Sequence, residues 1–302
     1  MNHLLKLLDL SNEEIIELLN LGDQLKYELK HGIRHQHLKG KTMGMIFQKS
    51  STRTRVSFEV GMAQLGGSAL FLSARDLQIG RGEPVQDTAR VLSRYVDGIM
   101  IRTFDQKEVE DLAQYGSVPV INGLTDFCHP CQILADLMTI REYKGSFDGL
   151  KMCFIGDGNN MMNSLIVGCL KVGMAVSVAC PEGYRPPQEI LDFAGAYDCF
   201  ELTEDPLTAA KGADVVITDV WTSMGQEEER AAREKAFAGY CVDGRIMAAA
   251  KPDAIVQHCL PAHRGEEITA EVFEANAAPI FDEAENRLHA QKAVMVMLMK
   301  DR

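Results

Sequence analysis

No stretch of this 302-residue sequence is apolar for long enough to cross a bilayer. The longest late apolar run, Ala293–Met299, falls far short of the roughly 20 residues that a membrane helix needs. The first residues do not read as an export signal either. Met1–Leu10 carries Lys6 and Asp9 inside its apolar stretch, and no cleavage site follows. Basic residues are in deficit, with 31 Lys and Arg against 43 Asp and Glu, a net charge of −12. General binding to a nucleic-acid backbone needs the opposite balance. The eight cysteines are scattered rather than framed as a disulfide scaffold, and neither a repeat nor a low-complexity tract is present. What remains is a globular chain, expected in a reducing cytoplasm, with no nucleic-acid or membrane partner. An anionic small substrate stays possible if a few basic side chains are gathered locally.

What is present is ordinary globular composition, 46% hydrophobic and 25% charged, in a chain long enough for two domains of about 150 residues each. Ser11 and Glu14 read as a capping box for a first helix with Ile15, Leu18 and Leu19 on its apolar face, ended by Gly32. Strands and helices then alternate. Strands are expected at Met43–Phe47, Ala69–Leu72, Ile99–Ile101 and Val118–Ile121. Helices are expected at Arg53–Leu65, with Val56, Val60 and Ala63 inward, at Asp87–Tyr95 and from Gln132 to Tyr143. Gly145–Leu150 reads as a hinge. Beyond it come strands at Met152–Ile155, Val176–Ala179, Val215–Thr218 and Ala254–Gln257, and a helix from about Asn160. A last helix near Leu288–Lys300 has no strand partner and is expected to pack back on the first domain. The fold class is therefore α/β, with two open parallel-sheet domains.

Ligands of open parallel sheets bind beyond the carboxyl ends of the strands, and polar side chains are concentrated there. Ser51-Thr52-Arg53-Thr54-Arg55 follows the first strand of the sheet, on a turn into a helix. Free N–H groups and the positive end of a helix dipole favour a phosphate there, and Arg53 can grip it in bidentate fashion. A plain Ser/Thr-rich cap is the bland alternative. Arg102 stands at another strand end and could equally form a surface ion pair. His129 and Gln132, three apart at a helix start, share a face. Cys128-His129-Pro130-Cys131 also permits a redox dithiol or half a zinc site, though the chain has no second Cys-x-x-Cys, His258 and Cys259 are adjacent, and His263 stands alone. Phe154-Ile155-Gly156-Asp157-Gly158 begins like a dinucleotide fingerprint. Met161 occupies the third glycine position, and Cys180-Pro181 stands where an acidic residue is needed.

Six segments in order resemble the ornithine carbamoyltransferases of the aspartate/ornithine carbamoyltransferase family. They are Phe47–Arg55 (FQKSSTRTR), Asp87–Tyr95 (DTARVLSRY), His129–Gln132 (HPCQ), Asp219–Glu229 (DVWTSMGQEEE), His258–Pro261 (HCLP) and Glu285-Asn286-Arg287. The resemblance spans essentially the whole chain. It implies transfer of the carbamoyl group of carbamoyl phosphate to the δ-amine of L-ornithine, in arginine biosynthesis, without cofactor or metal. It implies a carbamoyl phosphate domain at 1–145 joined by a returning helix at 286–302, an ornithine domain at 146–285, and an active site in the cleft between them.

By the same resemblance, Ser51, Thr52, Arg53 and Thr54 hold the phosphate, and Arg287 adds a contact. Arg102, His129 and Thr54 point at the carbamoyl oxygen. Gln132 and the backbone carbonyls of Cys259 and Leu260 orient the carbamoyl NH₂. Asn160 and the Met224 backbone meet the ornithine carboxylate, Asp219 and Ser223 its α-ammonium, and Cys259 lies near the reacting amine. A homotrimer is implied, with Gln78 of the Asp76–Glu83 loop reaching a neighbour's carbamoyl phosphate. The Ser223-Met224-Gly225 loop argues for ornithine. Putrescine, which has no α-amino or α-carboxyl group, and N-acetylornithine are alternative acceptors. Aspartate would call for extra basic groups where this segment offers Asp219 and Glu227–Glu229.

Overall fold

Strand-forming apolar runs separated by helices resolve into two all-parallel sheets of four and five strands. The computed structural model describes residues 1–222 and 227–301. Ser223 and Met224 therefore lie outside the described residues. The chain divides into one unit of Met1–Met138 with Glu285–Arg302, and a second of Thr139–Ala284.

In the first unit, α1 (Asn12–Lys30) leads into β1 (Thr42–Phe47), α2 (Thr52–Gln64), β2 (Ser68–Ser73), α3 (Val85–Leu92) and β3 (Gly98–Arg102). Next come α4 (Gln106–Tyr115), β4 (Val120–Leu124) and the start of α5 (Pro130–Lys144). The strand order is β2-β1-β3-β4. β1 and β3 lie inside the sheet and are buried nearly throughout, which explains their continuous apolar sequence. The chain runs from β1 outward to β2 and then returns to β3, so the strand order switches between β1 and β3. Parallel register sets Phe47 beside Arg102 at that switch point. The Ser51–Arg55 turn and Arg102 thus leave adjacent strand ends, where open sheets form ligand crevices.

The second unit repeats the logic with β5 (Lys151–Ile155), α6 (Asn160–Lys171), β6 (Ala175–Ala179), α7 (Gln188–Ala194), β7 (Phe200–Thr203) and α8 (Pro206–Ala210). It continues through β8 (Val215–Thr218), α9 (Arg230–Ala236), α10 (Gly244–Ala249), β9 (Ile255–His258), α11 (Ala270–Ala275) and the start of α12 (Ala277–Met299). Its order is β7-β6-β5-β8-β9. The switch falls between β5 and β8, and Thr218 pairs with His258. Asn159, Asn160, Asp219 and Cys259 all follow from these strand ends.

The capping box is formed: Ser11 Oγ accepts from the Glu14 N–H, and the Glu14 carboxylate accepts from the Ser11 N–H. Several expectations need correction. Val56 and Val60 are 50% and 39% exposed, and Ala63 is exposed too. The buried positions of α2 are Thr54, Phe58, Gly61 and Met62, because α12 side chains close on the Gly61 face. β4 starts at Val120, since Pro119 has no N–H to give a ladder. α3 ends at Leu92 rather than Tyr95, and α12 begins at Ala277, well before Leu288.

One buried group on α12 makes stability depend on pH. Burial pushes the His289 imidazole down to about 4, with Glu285 opposing through a hydrogen bond. Between the ordinary histidine value of about 6.5 and this value, the unfolded chain holds a proton that the native ring lacks. Acidification through that window therefore favours unfolding, by about 1.4 kcal/mol per pH unit for one such group. Denaturant unfolding at pH 7, 6 and 5 should show falling stability, and His289→Asn should flatten the slope by about that amount. An unchanged slope in the variant would show that His289 is not the group concerned.

Candidate active site

The candidate site of the first unit is built on the β1 and β3 ends. Ser51 caps α2, its Oγ accepting from the Thr54 N–H at 3.2 Å, so the helix starts with hydroxyls around its free N–H groups. The Thr54 side chain is only 1% exposed and is held from the far end of the sequence. Arg287 on α12 donates from Nη2 to Thr54 Oγ1 at 3.1 Å and from Nη1 to Gln132 Oε1 at 2.6 Å. The Gln132 amide is oriented in turn by donation to Asp136 Oδ1 at 2.8 Å. This fixes the amide oxygen toward the guanidinium. Three residues from three helices, Thr54, Gln132 and Arg287, thereby form one buried cluster.

His129, in the loop before α5, is buried, and burial is the first reason its imidazole sits well below the ordinary range. The cationic Arg287, Arg102 and Arg53 push it further in the same direction. His129 is therefore neutral at physiological pH, and a neutral ring can donate one N–H without adding charge. Arg102 is buried at the end of β3, and its carbonyl accepts from the Gln48 N–H at 2.9 Å. The arrangement offers a hydroxyl-lined helix start, guanidinium groups and a neutral imidazole in one place. Such a set suits an anion whose carbonyl is to be attacked.

Lys49 was not anticipated. It is buried, ion-paired with Asp126, and its ammonium lies 4.2 Å from the Phe104 ring centroid. Its place inside the FQKSSTRTR run was the available signal. Cys128 and Cys131 are buried, and desolvation pushes both thiols up to about 12. Cys128 Sγ lies against the Leu5 carbonyl and Cys131 Sγ against that of Asn122. These are packed thiols rather than a reactive pair. Gln78 opens a short 3-10 turn, Gln78–Arg81, and is exposed.

In the second unit the candidate residues centre on Asp219, one residue past β8. Asp219 Oδ1 accepts from the Cys259 thiol at 3.1 Å and from the Val220 N–H at 2.8 Å, and Oδ2 accepts from Asn159 Nδ2 at 2.9 Å. Asn159 also caps α6 through its amide oxygen, which couples the Asn160 helix start to the carboxylate. The sequence pointed to Asn160. The structure adds Asn159 as the residue that orients Asp219, while Asn160 begins the helix.

The loop after β9 is braced by buried acids. His258 Nδ1 accepts from the Leu260 N–H at 2.9 Å, so its Nε2 carries the hydrogen donated to Glu267 Oε1 at 2.9 Å. The His258 N–H donates to Glu283 Oε2 at 2.9 Å. Leu260 is held at φ 56°, a backbone region costly for a side chain of its size, by this bracing. Asp219, His258 and Cys259 offer donor atoms within 4.8 Å of one another. Both nitrogens of His258 are already committed, which argues against a metal there.

Two family profiles match the chain. Residues 2–142 match the aspartate/ornithine carbamoyltransferase carbamoyl-P binding domain, and residues 148–298 match the corresponding Asp/Orn binding domain. An ornithine carbamoyltransferase from Carboxydothermus hydrogenoformans is 58% identical over 296 residues, covering 96% of this chain and 95% of that protein. One from Geobacter sulfurreducens is 55% identical and covers 99% of each. Among solved structures, the ornithine carbamoyltransferase of Pyrococcus furiosus superposes with a TM-score of 0.96 at 54% identity, covering 100% of this chain and 98% of that one. The anabolic enzyme of Campylobacter jejuni gives 0.95 at 44% identity, with 100% of both covered. On this similarity and this chemistry, the chain belongs to the aspartate/ornithine carbamoyltransferase family.

Proposed function

We propose that this chain transfers the carbamoyl group of carbamoyl phosphate to the δ-amine of L-ornithine, giving L-citrulline and phosphate. The observation that carries the reading is the buried Thr54–Arg287–Gln132 cluster beside Arg102 and a neutral His129, at the switch point of the first sheet. Residues 1–145 with 286–302 serve carbamoyl phosphate, and residues 146–285 serve ornithine. Ser51, Thr52, Arg53 and Thr54 take the phosphate, with Arg287 as a further contact. The neutral δ-amine attacks the carbamoyl carbon, and the oxygen gains negative charge facing Arg102, His129 and the Thr54 hydroxyl. The C–O bond to phosphate then breaks as the amine's proton passes to the leaving phosphate oxygen, and the hydrogen phosphate dianion stays with the helix start and Arg53. Gln132 and the carbonyls of Cys259 and Leu260 align the carbamoyl NH₂. Aligning amine and carbonyl supplies much of the acceleration, so no covalent nucleophile is required.

On the acceptor side, Asp219 takes the α-ammonium with Ser223, while Asn160 and the Met224 backbone take the carboxylate. Cys259, bonded to Asp219, lies at the reacting amine. The working unit is a homotrimer in the cytoplasm. Supporting it are the exposed apolar side chains Val56, Val60, Leu70, Phe71, Val91 and Tyr95, all on the first unit. Among the described residues, no helix is long and apolar enough to cross a membrane.

The test is a citrulline assay run side by side with ornithine, putrescine, aspartate and N-acetylornithine. Ornithine should be carbamoylated at least about 10²-fold better in kcat/KM than putrescine, since Asp219, Ser223 and Asn160 lose their partners when the amino-acid head is absent. Equal or better turnover of putrescine would reassign the acceptor.

A further inference from the structure

One helical turn beyond Arg287, α12 carries a second polar residue that the reaction scheme does not use. Gln291 is fully buried, at 0% exposure. Its amide lies 2.5 Å from Ser57 Oγ, whose hydrogen the Arg53 carbonyl takes, and beside the Arg287 guanidinium; these neighbours assign its orientation, with the oxygen accepting from Arg287 Nε at 3.2 Å and Nη2 at 2.9 Å and the nitrogen donating to Ser57 Oγ. Ser57 passes the bond on: its hydroxyl donates to the Arg53 carbonyl at 2.7 Å and lies 3.2 Å from that of Thr54. The chain of bonds is directional. A hydroxyl whose hydrogen is committed to the backbone needs a donor from outside, and a guanidinium needs an acceptor. A primary amide is the side chain that supplies both at once. Leu or Met of similar size supplies neither, and Glu supplies only acceptors.

We infer that Gln291 is a positioning residue for carbamoyl phosphate binding. It ties Arg287 to the first turn of α2, so the guanidinium and the phosphate-binding turn keep one mutual geometry before ligand arrives. Arg287 is then gripped on two sides, by Gln291 on its own helix and by Thr54 and Gln132 opposite. Bonds in such a series strengthen one another in a dry interior. The inference rests on assigning Arg287 and Ser51–Thr54 to carbamoyl phosphate.

The experiment is a double-mutant cycle of Gln291→Leu with Arg287→Ala. The readouts are KM for carbamoyl phosphate, KM for ornithine, calorimetric binding of inorganic phosphate, and thermal unfolding. Gln291→Leu should raise KM for carbamoyl phosphate and Kd for phosphate about tenfold, with KM for ornithine within about twofold. On the Arg287→Ala background the same change should add less than about twofold, because the partner is gone. A full tenfold loss on both backgrounds would mean general packing damage and would overturn the inference, as would no loss in the otherwise native enzyme. If Gln291→Leu does not unfold cooperatively, Ser57→Ala carries the test by removing one oxygen. It should raise KM for carbamoyl phosphate about threefold and leave ornithine alone, and no change would overturn the inference. If Arg287→Ala binds phosphate normally, the assignment of Arg287 itself falls. A loss with Arg287→Ala but none with Gln291→Leu sinks only the role of Gln291.

Discussion

Arg102→Ala should lower kcat by about 10²–10³ while leaving phosphate binding within a few-fold, the usual cost of losing one donor to a developing oxyanion. Arg102 ends a buried central strand, and its main chain is tied to Gln48. Truncation of the side chain therefore leaves the strand end in place. His129→Gln should cost a similar amount. The double variant should fall well short of the product of the two losses, because both groups serve one oxygen. There is also a second signature. Arg102 is one of the cations that hold the His129 imidazole low, so its removal should raise that value part of the way toward the ordinary range. NMR titration of the His129 ring in Arg102→Ala would read this directly. A variant with normal kcat, or one in which the His129 titration does not move, would separate the two residues and remove Arg102 from the oxyanion.

Activity should appear from two dead proteins when they are mixed, and this tests the shared site. Arg53→Ala removes the phosphate grip from its own chain. A second variant, with Gln78 and its neighbours in the exposed Gln78–Arg81 turn replaced, removes what the loop would deliver to another. Unfolded and refolded together, the two should give hybrid trimers in which some sites have an intact Arg53 from one chain and an intact Gln78 from the other. Citrulline formation should return only in the mixture. If both variants fold and assemble but the mixture stays inactive, the loop does not serve a neighbour.

Much of this site was legible in the sequence because it sits on turns, where residue identity is set by local chemistry. The Ser51–Arg55 turn and Arg102 follow from strand-to-helix alternation, while the family resemblance supplied Asp219 and Cys259. What escaped was whatever depends on distant segments meeting. Lys49 is one example, since its ion pair is with Asp126, far along the sequence. Asn159 is another, because its bond to Asp219 spans sixty residues of sequence. The bracing of the HCLP loop by Glu267 and Glu283 likewise exists only once the chain has folded. The misjudged face of α2 has a different cause. Val56 and Val60 satisfy a helical apolar pattern that periodicity assigns to a core. Pattern alone cannot separate a buried apolar face from an exposed one.

The first unit is assembled from the two ends of the chain, with all of the second unit threaded between. During synthesis, therefore, the β1–β4 sheet emerges early but waits for its last helix. Met295 and Met299 of that helix fill the spaces beside Gly61 and Gly98, and Arg287 and Gln291 tie it to Thr54 and Ser57 of α2. At typical elongation rates of about 5–20 residues per second, the roughly 150 intervening residues impose a delay of about 7–30 s. Throughout that interval the nascent first half is uncovered along one side, while the second unit, contiguous in sequence, can close on itself. A ribosome stalled a few codons before Glu285 would release a chain with one finished half and one exposed sheet, a natural substrate for holdase chaperones.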